Sequence, residues 1–476
     1  MKKNIAATAL LTTIGGLATS ISDAAPESGS PLDPQLDNTT ILANRSLTDL
    51  RKVGSSVTVL DVGLLERDGI LSVDQALKFV PGVTSDSVGG QRGSTSDLYM
   101  RGLRTAHTHI VVDGMRISDT NSGLILSKQF LGSNNLSGLS RLEILRGPQG
   151  ALYGADSIGG VLGLYSKKGV GGHSGSLRME GGSFNSWDST LLLQGSDNKF
   201  SYALSLGHER TDNDLPHNAF EMDSYALRLD YEINDQLTIG MTLRGADSTY
   251  EGPQTGTFFS GPDDSDFSYT LGTFFVNYEA NDIWSSKLTL GIYDQKSKFV
   301  SRAPTPGFPP FVPPTAPPTI SFANDETLTK YGIYWDNTVK WNDRHTTVTG
   351  LVYEKSDYLY TDSFASFDSR SREQHGIYVN HTWDVSEQFS ISGGLRWEDY
   401  SDNGANGFND DVVTWRVASS STCKHTGTVF RGSIGHGFRV PSYSELNGNL
   451  AFGVAPNPNL DPVESLGWDF GIEQSF

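Results

Sequence analysis

Residues 141–161, RLEILRGPQGALYGADSIGGV, constrain the fold of this chain more than any other stretch. An apolar strand at 142–145 runs into Arg146-Gly147-Pro148, where the fixed φ of proline favours a turn, and a second apolar strand ends at Tyr165. Glycine permits positive φ and close backbone approach, and the stretch contains Gly147, Gly150, Gly154, Gly159 and Gly160. The pattern predicts a strand, a forced turn, a short helix of small residues and a second strand.

The first 24 residues have the features of a secretory signal peptide. Met1-Lys2-Lys3 is basic, residues 4–20 are mildly apolar, and Ser22-Asp23-Ala24 offers small residues for cleavage. We expect a signal peptide at 1–24 and a mature chain that begins near Ala25. The alternative is a disordered polar terminus.

Composition excludes several classes of function. The formal net charge of −19 argues against nucleic acid as a partner. Cys423 is the only cysteine, which excludes an intramolecular disulfide and a CxxC metal or redox site. After residue 24 no apolar run reaches the roughly 18 residues of a transmembrane helix. The 52 glycines and the aromatic content of 10% suit an exported β-protein.

The N-terminal third divides into a flexible segment and a compact domain. Residues 25–54 begin with a Pro-, Ser- and Asp-rich stretch and are predicted to be a flexible N-terminal segment. Residues 55–169 are predicted to be a compact α+β domain. We expect its helix to run from Ser72 through Phe79, and we expect strands at 56–60, 98–101 and 109–113, the last closing in the turn Asp113-Gly114.

From about Ser174 the hydrophobic period becomes two. Apolar and polar residues alternate over 225–232, 237–244 and 389–397, with hairpin-length turns between strands. One apolar face and one polar face on every strand is typical of a transmembrane β-barrel, because lipid satisfies no backbone group. We predict about 14 antiparallel strands over 170–476, with the long loops 251–266 and 303–318 outside the cell. The alternative is a soluble β-sandwich or propeller.

Several segments now carry a resemblance to a known family. Residues 77–83, 99–102, 111–116 and 141–161 resemble, in this order, the plug domain of TonB-dependent outer-membrane receptors. The resemblance implies a mainly β fold, with the N-terminal α+β plug domain (55–169) inside the transmembrane barrel. It also implies that Arg101 and Arg146 form salt bridges to carboxylates of the barrel. The plug signature comprises Arg101, Gly102, Asp113, Gly114, Arg146, Gly147, Pro148, Tyr153, Gly154, Gly159 and Gly160.

The resemblance also places a Ton box, the segment that binds the TonB energy transducer of the inner membrane. It falls between the signal peptide and the plug. An extended strand on a flexible leash is able to add to the edge of a partner's sheet. The alternative is a plain linker. The segment comprises Asp37, Asn38, Thr39, Thr40, Ile41, Leu42 and Ala43.

The number of strands departs from the family pattern. Barrels of this family have about 22 strands. A closed barrel of about 14 strands would have a lumen of ~18 Å, whereas a plug of about 115 residues is ~34 Å across. We therefore expect the barrel to be incomplete through C-terminal truncation. Phe476 opposes this expectation, because outer-membrane strands often end in Phe.

Candidate metal ligands are few. Asp212 and Asp214, with Asp247 as a partner, resemble a calcium-binding segment of some cobalamin importers, although a solvated acidic loop is the simpler interpretation. His107 and His109 lie two apart and are more simply structural than metal-binding. No other cofactor is implied, and no catalytic motif occurs, so we do not expect an enzyme.

The function that the resemblance implies is energy-coupled import across the outer membrane of a Gram-negative bacterium. The ligand would be scarce and too large for porins: cobalamin, an iron–siderophore complex or a glycan. The implied contacts are this ligand, the periplasmic domain of TonB and outer-membrane lipid. The alternatives are a passive outer-membrane channel, a surface-binding protein and a non-functional truncated remnant.

Overall fold

The computed structural model describes residues 39–87, 90–118, 125–253, 263–303, 319–363, 367–404, 406–448 and 455–474. The predicted signal peptide, Asp37 and Asn38 of the Ton box, the tip of the proline-rich loop and Phe476 lie outside these residues. No helix in the described ranges combines the length and the apolar character needed to cross a membrane.

Residues 39–53, called the anchor segment below, fold against the rest of the chain. Strand β1 (Thr39–Thr40) pairs with β2 (Thr48–Asp49) in antiparallel register, and a 3₁₀ turn follows at Leu50–Lys52. Leu42, Ala43 and Val53 are buried. The prediction of a flexible segment through residue 54 is therefore wrong for its described part, because apolar burial and hydrogen bonds hold these residues in place.

The following domain is a mixed sheet with short helices. A five-stranded sheet has the order β3-β8-β9-β6-β7; β6 and β9 run parallel and the other neighbours antiparallel, while β4 and β5 pair separately. The elements are β3 (Val57–Asp61), α1 (Val62–Arg67), α2 (Val73–Leu77), β4 (Val83–Ser87), β5 (Ser96–Met100), β6 (Thr108–Val112), β7 (Met115–Arg116), α3 (Ile125–Gly132), β8 (Leu139–Arg146), α4 (Gly150–Tyr153) and β9 (Gly160–Ser166), with a 3₁₀ turn at Thr105–His107.

The prediction for residues 141–161 is confirmed. β8 leads through Gly147-Pro148 into α4, and β9 returns antiparallel to β8. Gly154 ends α4 with a φ of 73°, and a Cβ there would lie 2.2 Å from Oε1 of Glu398. This position therefore requires glycine for both its conformation and its space. The Asp113-Gly114 turn has φ values of 50° and 94°, as expected of a type I′ hairpin.

The remainder of the described chain forms one antiparallel sheet of 14 strands, each paired with its neighbour in sequence. Helix α5 (Tyr443–Asn447) lies in the connection before the last strand. The strands are β10 (Ser174–Gly182), β11 (Ser186–Asp197), β12 (Phe200–Thr211), β13 (Phe220–Asn234), β14 (Leu237–Gly252), β15 (Asp263–Glu279), β16 (Trp284–Ala303), β17 (Thr319–Asn342), β18 (His345–Asp362), β19 (Phe367–Asp384), β20 (Phe389–Asp402), β21 (Asn409–Thr422), β22 (Val429–Arg439) and β23 (Val463–Glu473).

The two faces of this sheet differ as the alternation predicts. On β17, Tyr331, Ile333 and Trp335 are 44–45% exposed, whereas Lys330 and Tyr334 between them are buried. The outward face thus presents large apolar side chains, and the inward face presents polar groups to the plug. This is the pattern of a barrel wall in lipid, and the predicted fold class is confirmed.

The sheet has two free edges within the described residues, because no pairing joins β10 to β23. The plug extends from one edge to the other: Glu66 of α1 lies 3.8 Å from Arg178 of β10, and Arg101 lies 2.9 Å from Asp469 of β23. A closed 14-stranded cylinder would be too narrow for this plug. In the described residues the sheet is instead open between β10 and β23.

Candidate functional site: the anchor segment and the plug–barrel interface

One buried carboxylate holds the start of the anchor segment. Glu143 of β8 accepts hydrogen bonds from Thr40 Oγ1 at 2.6 Å and from the amides of Ile41 and Leu42, each at 3.0 Å. Arg141 pairs with the same carboxylate at 2.9 Å. Burying a carboxylate is costly unless it is fully hydrogen-bonded, and here the Thr40 hydroxyl, two amides of the anchor segment and Arg141 supply the donors.

Arg45 fastens the same segment to the barrel. Its guanidinium lies between the rings of Tyr153 and Tyr378, 4.9 and 5.1 Å from their centroids. Its Nε donates to the hydroxyl of Tyr378 at 3.0 Å, and its Nη2 lies 3.7 Å from Asp336. Tyr153 in turn donates to the carbonyl of Leu42 at 3.0 Å. The segment is thus tied to the plug through Tyr153 and to β17 and β19 of the wall.

Two further contacts tie the end of the segment to the wall. Lys52 pairs with Asp384 at 2.6 Å, and Arg431 donates to the carbonyl of Val53. Both barrel residues lie near the end of the sheet where short turns connect the strands, such as residues 198–199 and 343–344. In outer-membrane barrels the short turns face the periplasm.

A buried charge cluster lies between the plug and the wall. Arg116 of β7 pairs with Asp156 of the plug and lies 3.5 Å from Glu354 of β18. Tyr334 donates to Glu354 at 2.8 Å, and Lys330 lies 3.8 Å away. Burial raises the pKa of the Asp156 carboxyl, while the positive charge of Arg116 opposes this rise. Separating plug and wall here would leave charges buried without partners.

The charge cluster continues to helix α4. Glu398 of β20 accepts from Arg396 at 2.5 Å and from Tyr400 at 3.0 Å, and its carboxylate lies against Gly154. Arg396 also donates to the carbonyl of Leu152 at 3.4 Å. Since the next residue, Tyr153, holds Leu42, α4 joins the charge cluster physically to the anchor segment.

The arginines of the plug signature have different partners. Arg101, with a φ of 52°, pairs with Asp469 of the barrel as expected. Arg146 donates instead to the carbonyl of Pro81 and to Thr58 Oγ1 at 2.9 Å, and it has no carboxylate partner in the described residues. The predicted salt bridge of Arg146 is therefore wrong, because its guanidinium is buried against the plug's own backbone.

The remaining signature residues shape the plug itself. Asp113 accepts from the amide and the hydroxyl of Ser166 at 2.8 and 2.6 Å, which closes the hairpin turn at Gly114 onto β9. Pro148 packs against Gly467 of β23. Gly160 passes so close to the carbonyl of Leu145 that a Cβ would lie 2.1 Å from it.

The predicted calcium ligands do not converge. Asp212 and Asp214 are exposed between β12 and β13, and Asp247 lies on the outward face of β14 opposite Asp223. In the described ranges no three His, Cys, Asp or Glu side chains form a group able to hold a metal ion. The calcium site therefore stays a prediction without a formed ligand set.

His109 has a structural role that fits the simpler interpretation of the histidine pair. Its Nδ1 lies 3.1 Å from the carbonyl of Ala155, and its ring packs on Tyr153. Burial, reinforced by the charge of Arg116, holds the pKa of His109 well below its usual value.

A cavity of about 600 Å³ with polar and apolar walls, called the inner cavity below, lies beside the anchor segment. It is bounded by Arg45 and Lys52 of that segment, by the Asp113-Gly114 turn of the plug, and by residues of β13 to β19, including Arg228.

Sequence reasoning missed the barrel side of this site. Glu354 and Glu398 are buried at inward positions of otherwise alternating strands. The sequence pattern that could have predicted them is an acidic residue at a position whose alternation places it on the inward face of the strand. Their partners on the plug could not be read from spacing, because strand order fixes register within the sheet but not against the plug.

Family models match both the N-terminal domain and the C-terminal part of the sheet. Residues 49–161 match the family model TonB-dependent Receptor Plug Domain, and residues 360–476 match TonB dependent receptor-like, beta-barrel. The chain is 24% identical over 449 residues to the vitamin B12 transporter BtuB of Vibrio vulnificus, covering 92% of this chain and 68% of that protein.

Solved structures share the fold. The receptor FpvA of P. aeruginosa, determined bound to heterologous pyoverdines, superposes with a TM-score of 0.75 at 16% identity, over 92% of this chain and 63% of that one. The ferric yersiniabactin uptake receptor FyuA of Yersinia pestis gives 0.68 at 16% identity, over 89% and 70%. The chain thus spans about two thirds of the length of these proteins.

Proposed function

This chain belongs to the TonB-dependent receptor family of outer-membrane proteins, and we propose that it imports cobalamin or an iron–siderophore complex with energy supplied through TonB. The observation that carries the proposal is the anchor segment, which is held at the short-turn end of the barrel by reversible polar contacts. The names of its relatives, a vitamin B12 transporter and siderophore receptors, support these two ligand classes.

The energy transducer would bind residues 37–43. Of its described part, 39–43, only Thr39 and Thr40 are paired in a strand, and their partner strand is equally short. A longer sheet edge on TonB would offer more backbone hydrogen bonds than β2 does. Binding of TonB would therefore compete with Glu143 for the amides of Ile41 and Leu42.

Ligand arrival would be transmitted by the plug–barrel interface. Ligand contacts on the loop side that disturb the charge cluster would move α4, and with it Tyr153. Displacement of Tyr153 removes the donor to Leu42 and one face of the Arg45 stack. The anchor segment would then be easier to withdraw, which couples ligand binding to exposure of the Ton box.

Deletion of residues 37–43 tests energy coupling. We expect uptake of cyanocobalamin and of ferric siderophores to be lost, while binding of the same ligand to the cell surface is retained. Deletion of residues 27–33 is the matched control, because it shortens the N-terminal segment equally and spares the Ton box. Uptake that survives the first deletion would refute coupling through this segment and would favour a passive channel.

A further inference from the structure

The inner cavity is lined by two lysines that take part in no ion pair of the described residues. Lys287 of β16 and Lys340 of β17 point inward and are exposed to solvent. Within the part of the chain that the structure describes, neither ammonium forms an ion pair or a hydrogen bond. The Nζ of Lys287 lies 5.9 Å from the ring centroid of Phe275, an aromatic contact that leaves its charge available.

Most of the carboxylates around the cavity already have partners. Asp336 accepts from Tyr378 and lies near Arg45, and Asp384 pairs with Lys52 at 2.6 Å. Asp113 accepts hydrogen bonds from Ser166 and keeps its charge, whereas Asp49 pairs with Arg51 at 2.9 Å. Glu279 at the rim is the exception. Among the described residues beside Phe275, the ammonium of Lys287 is the cation that forms no ion pair.

The walls suit a polar organic anion. Hydroxyl groups from four strands accompany the lysines, and a volume of about 600 Å³ is within the range of small-molecule sites. The plug limits the cavity toward the loop end, where Met115 packs so closely on Gly291 that a Cβ there would lie 2.2 Å from Sδ. The hydroxyls belong to Thr242, Thr338, Thr346 and Thr382.

We propose that the inner cavity is a binding site for an anionic group, a carboxylate or a phosphate, carried by the imported ligand on its way past the plug. Lys287 binds the anion directly, and Lys340 attracts it from the cavity mouth. The role of the ligand rests on the proposed import function, whereas the anion site itself does not.

Charge-selective thiol modification tests the site on the purified full chain in detergent. A single reporter, Thr338→Cys, is placed in a Cys423→Ser background and is reacted with an anionic and a cationic methanethiosulfonate. We expect the anionic reagent to be favoured at Thr338→Cys relative to Asp343→Cys, which lies in the nearby turn outside the cavity. Lys287→Gln should lower this preference about fivefold, whereas Lys298→Gln, an outward lysine of the same strand, should leave it unchanged.

Inorganic phosphate gives a second readout. It should slow modification of Thr338→Cys in the presence of Lys287 and lose this effect in Lys287→Gln. Equal reagent preference at the two reporters, or protection that is independent of Lys287, would overturn the anion site. This reaction does not depend on transport, so it would stand even if the deletion of 37–43 refuted import.

Uptake decides whether the anion belongs to the imported ligand. In Lys287→Gln, initial uptake of cyanocobalamin or of a carboxylate-bearing ferric siderophore should fall about fivefold, with surface binding retained. Unchanged uptake together with altered thiol reactivity would assign the cavity to free anions and overturn its role in import.

Discussion

At the scale of single residues, the site depends on buried charges whose partners lie on another part of the fold. Glu143, Arg45 and Arg116 each connect two structural units; Glu143 and Arg116 are buried, and Arg45 is 11% exposed beside the inner cavity. Removing one member of such a pair is more damaging than the strength of the contact suggests. The predictions for single residues therefore concern release of the anchor segment and protonation of His109.

Arg45→Gln should loosen the anchor segment. The variant keeps a hydrogen-bond donor but loses the charge that faces Asp336 and the stacking between Tyr153 and Tyr378. We expect a loss of about 2 kcal/mol in the free energy of opening of this segment, measured by hydrogen exchange of the Ile41 and Leu42 amides. Arg51→Gln is the control, since Arg51 is exposed and pairs only locally with Asp49. Equal exchange in both variants would contradict the role of Arg45.

His109 should make the plug sensitive to mild acid. Its folded-state pKa lies below the ordinary value of 6.5, so the unfolded chain binds the proton more readily. The stability that depends on neutral His109 is present above pH 6.5 and is lost as the pH falls toward the folded pKa. Between pH 7 and pH 5 the free energy of plug unfolding should fall in the native chain. It should fall less in His109→Asn. A pH profile that the substitution leaves unchanged would contradict this.

At the scale of elements, the sequence predicts the strands well. It predicts poorly how the plug packs against the wall and against the anchor segment. Alternation over 225–244 places β13 and β14 because each residue reports its own face of the sheet. The turn at Asp113-Gly114 and the course of residues 141–161 follow from glycine and proline chemistry, which is local. The packing of α4 against Glu398 is not local, and the anchoring of residues 39–43 depends on a carboxylate about a hundred positions away. Neither contact could be predicted from the spacing of residues along the sequence.

Gly154→Ala tests whether α4 must approach the wall this closely. A Cβ would be strained by the φ of 73° and would also lie 2.2 Å from the carboxylate of Glu398. We expect a loss of about 2–4 kcal/mol in plug stability, measured by denaturant unfolding. In Gly69→Ala, with a φ of 76° and no atom within 4 Å of the added Cβ, about 1 kcal/mol is expected from strain alone. Similar losses in the two variants would show that the contact with Glu398 is unimportant.

At the scale of the whole molecule, the 14-stranded sheet of the described residues has open edges at β10 and β23. Both edge strands are exposed on nearly every residue, and Trp468 of β23 is 74% exposed. Free backbone donors and acceptors beside large apolar side chains favour pairing between copies. The plug leaves most of both edges open, because it reaches them only at Arg178 of β10 and at Gly467 and Asp469 of β23 among the contacts described above.

Edge pairing should appear as self-association of the detergent-solubilised chain. Trp468→Lys should reduce the association, because a charge on an edge strand discourages pairing. Trp335→Lys, a change of the same kind in the middle of the sheet, should not. Light scattering after size-exclusion chromatography measures the difference. A monodisperse monomer of the unmodified chain would contradict the prediction.

The carboxylate of Glu143 has one more consequence. When the first residues of the anchor segment are pulled away, their three hydrogen bonds to this carboxylate are lost and Arg141 alone remains to face it. A buried carboxylate without its hydrogen-bond donors is unfavourable, so the state with the anchor segment withdrawn is higher in free energy than the state with it in place. A receptor built in this way would reset itself after each cycle, with no second protein needed to return the segment to its place.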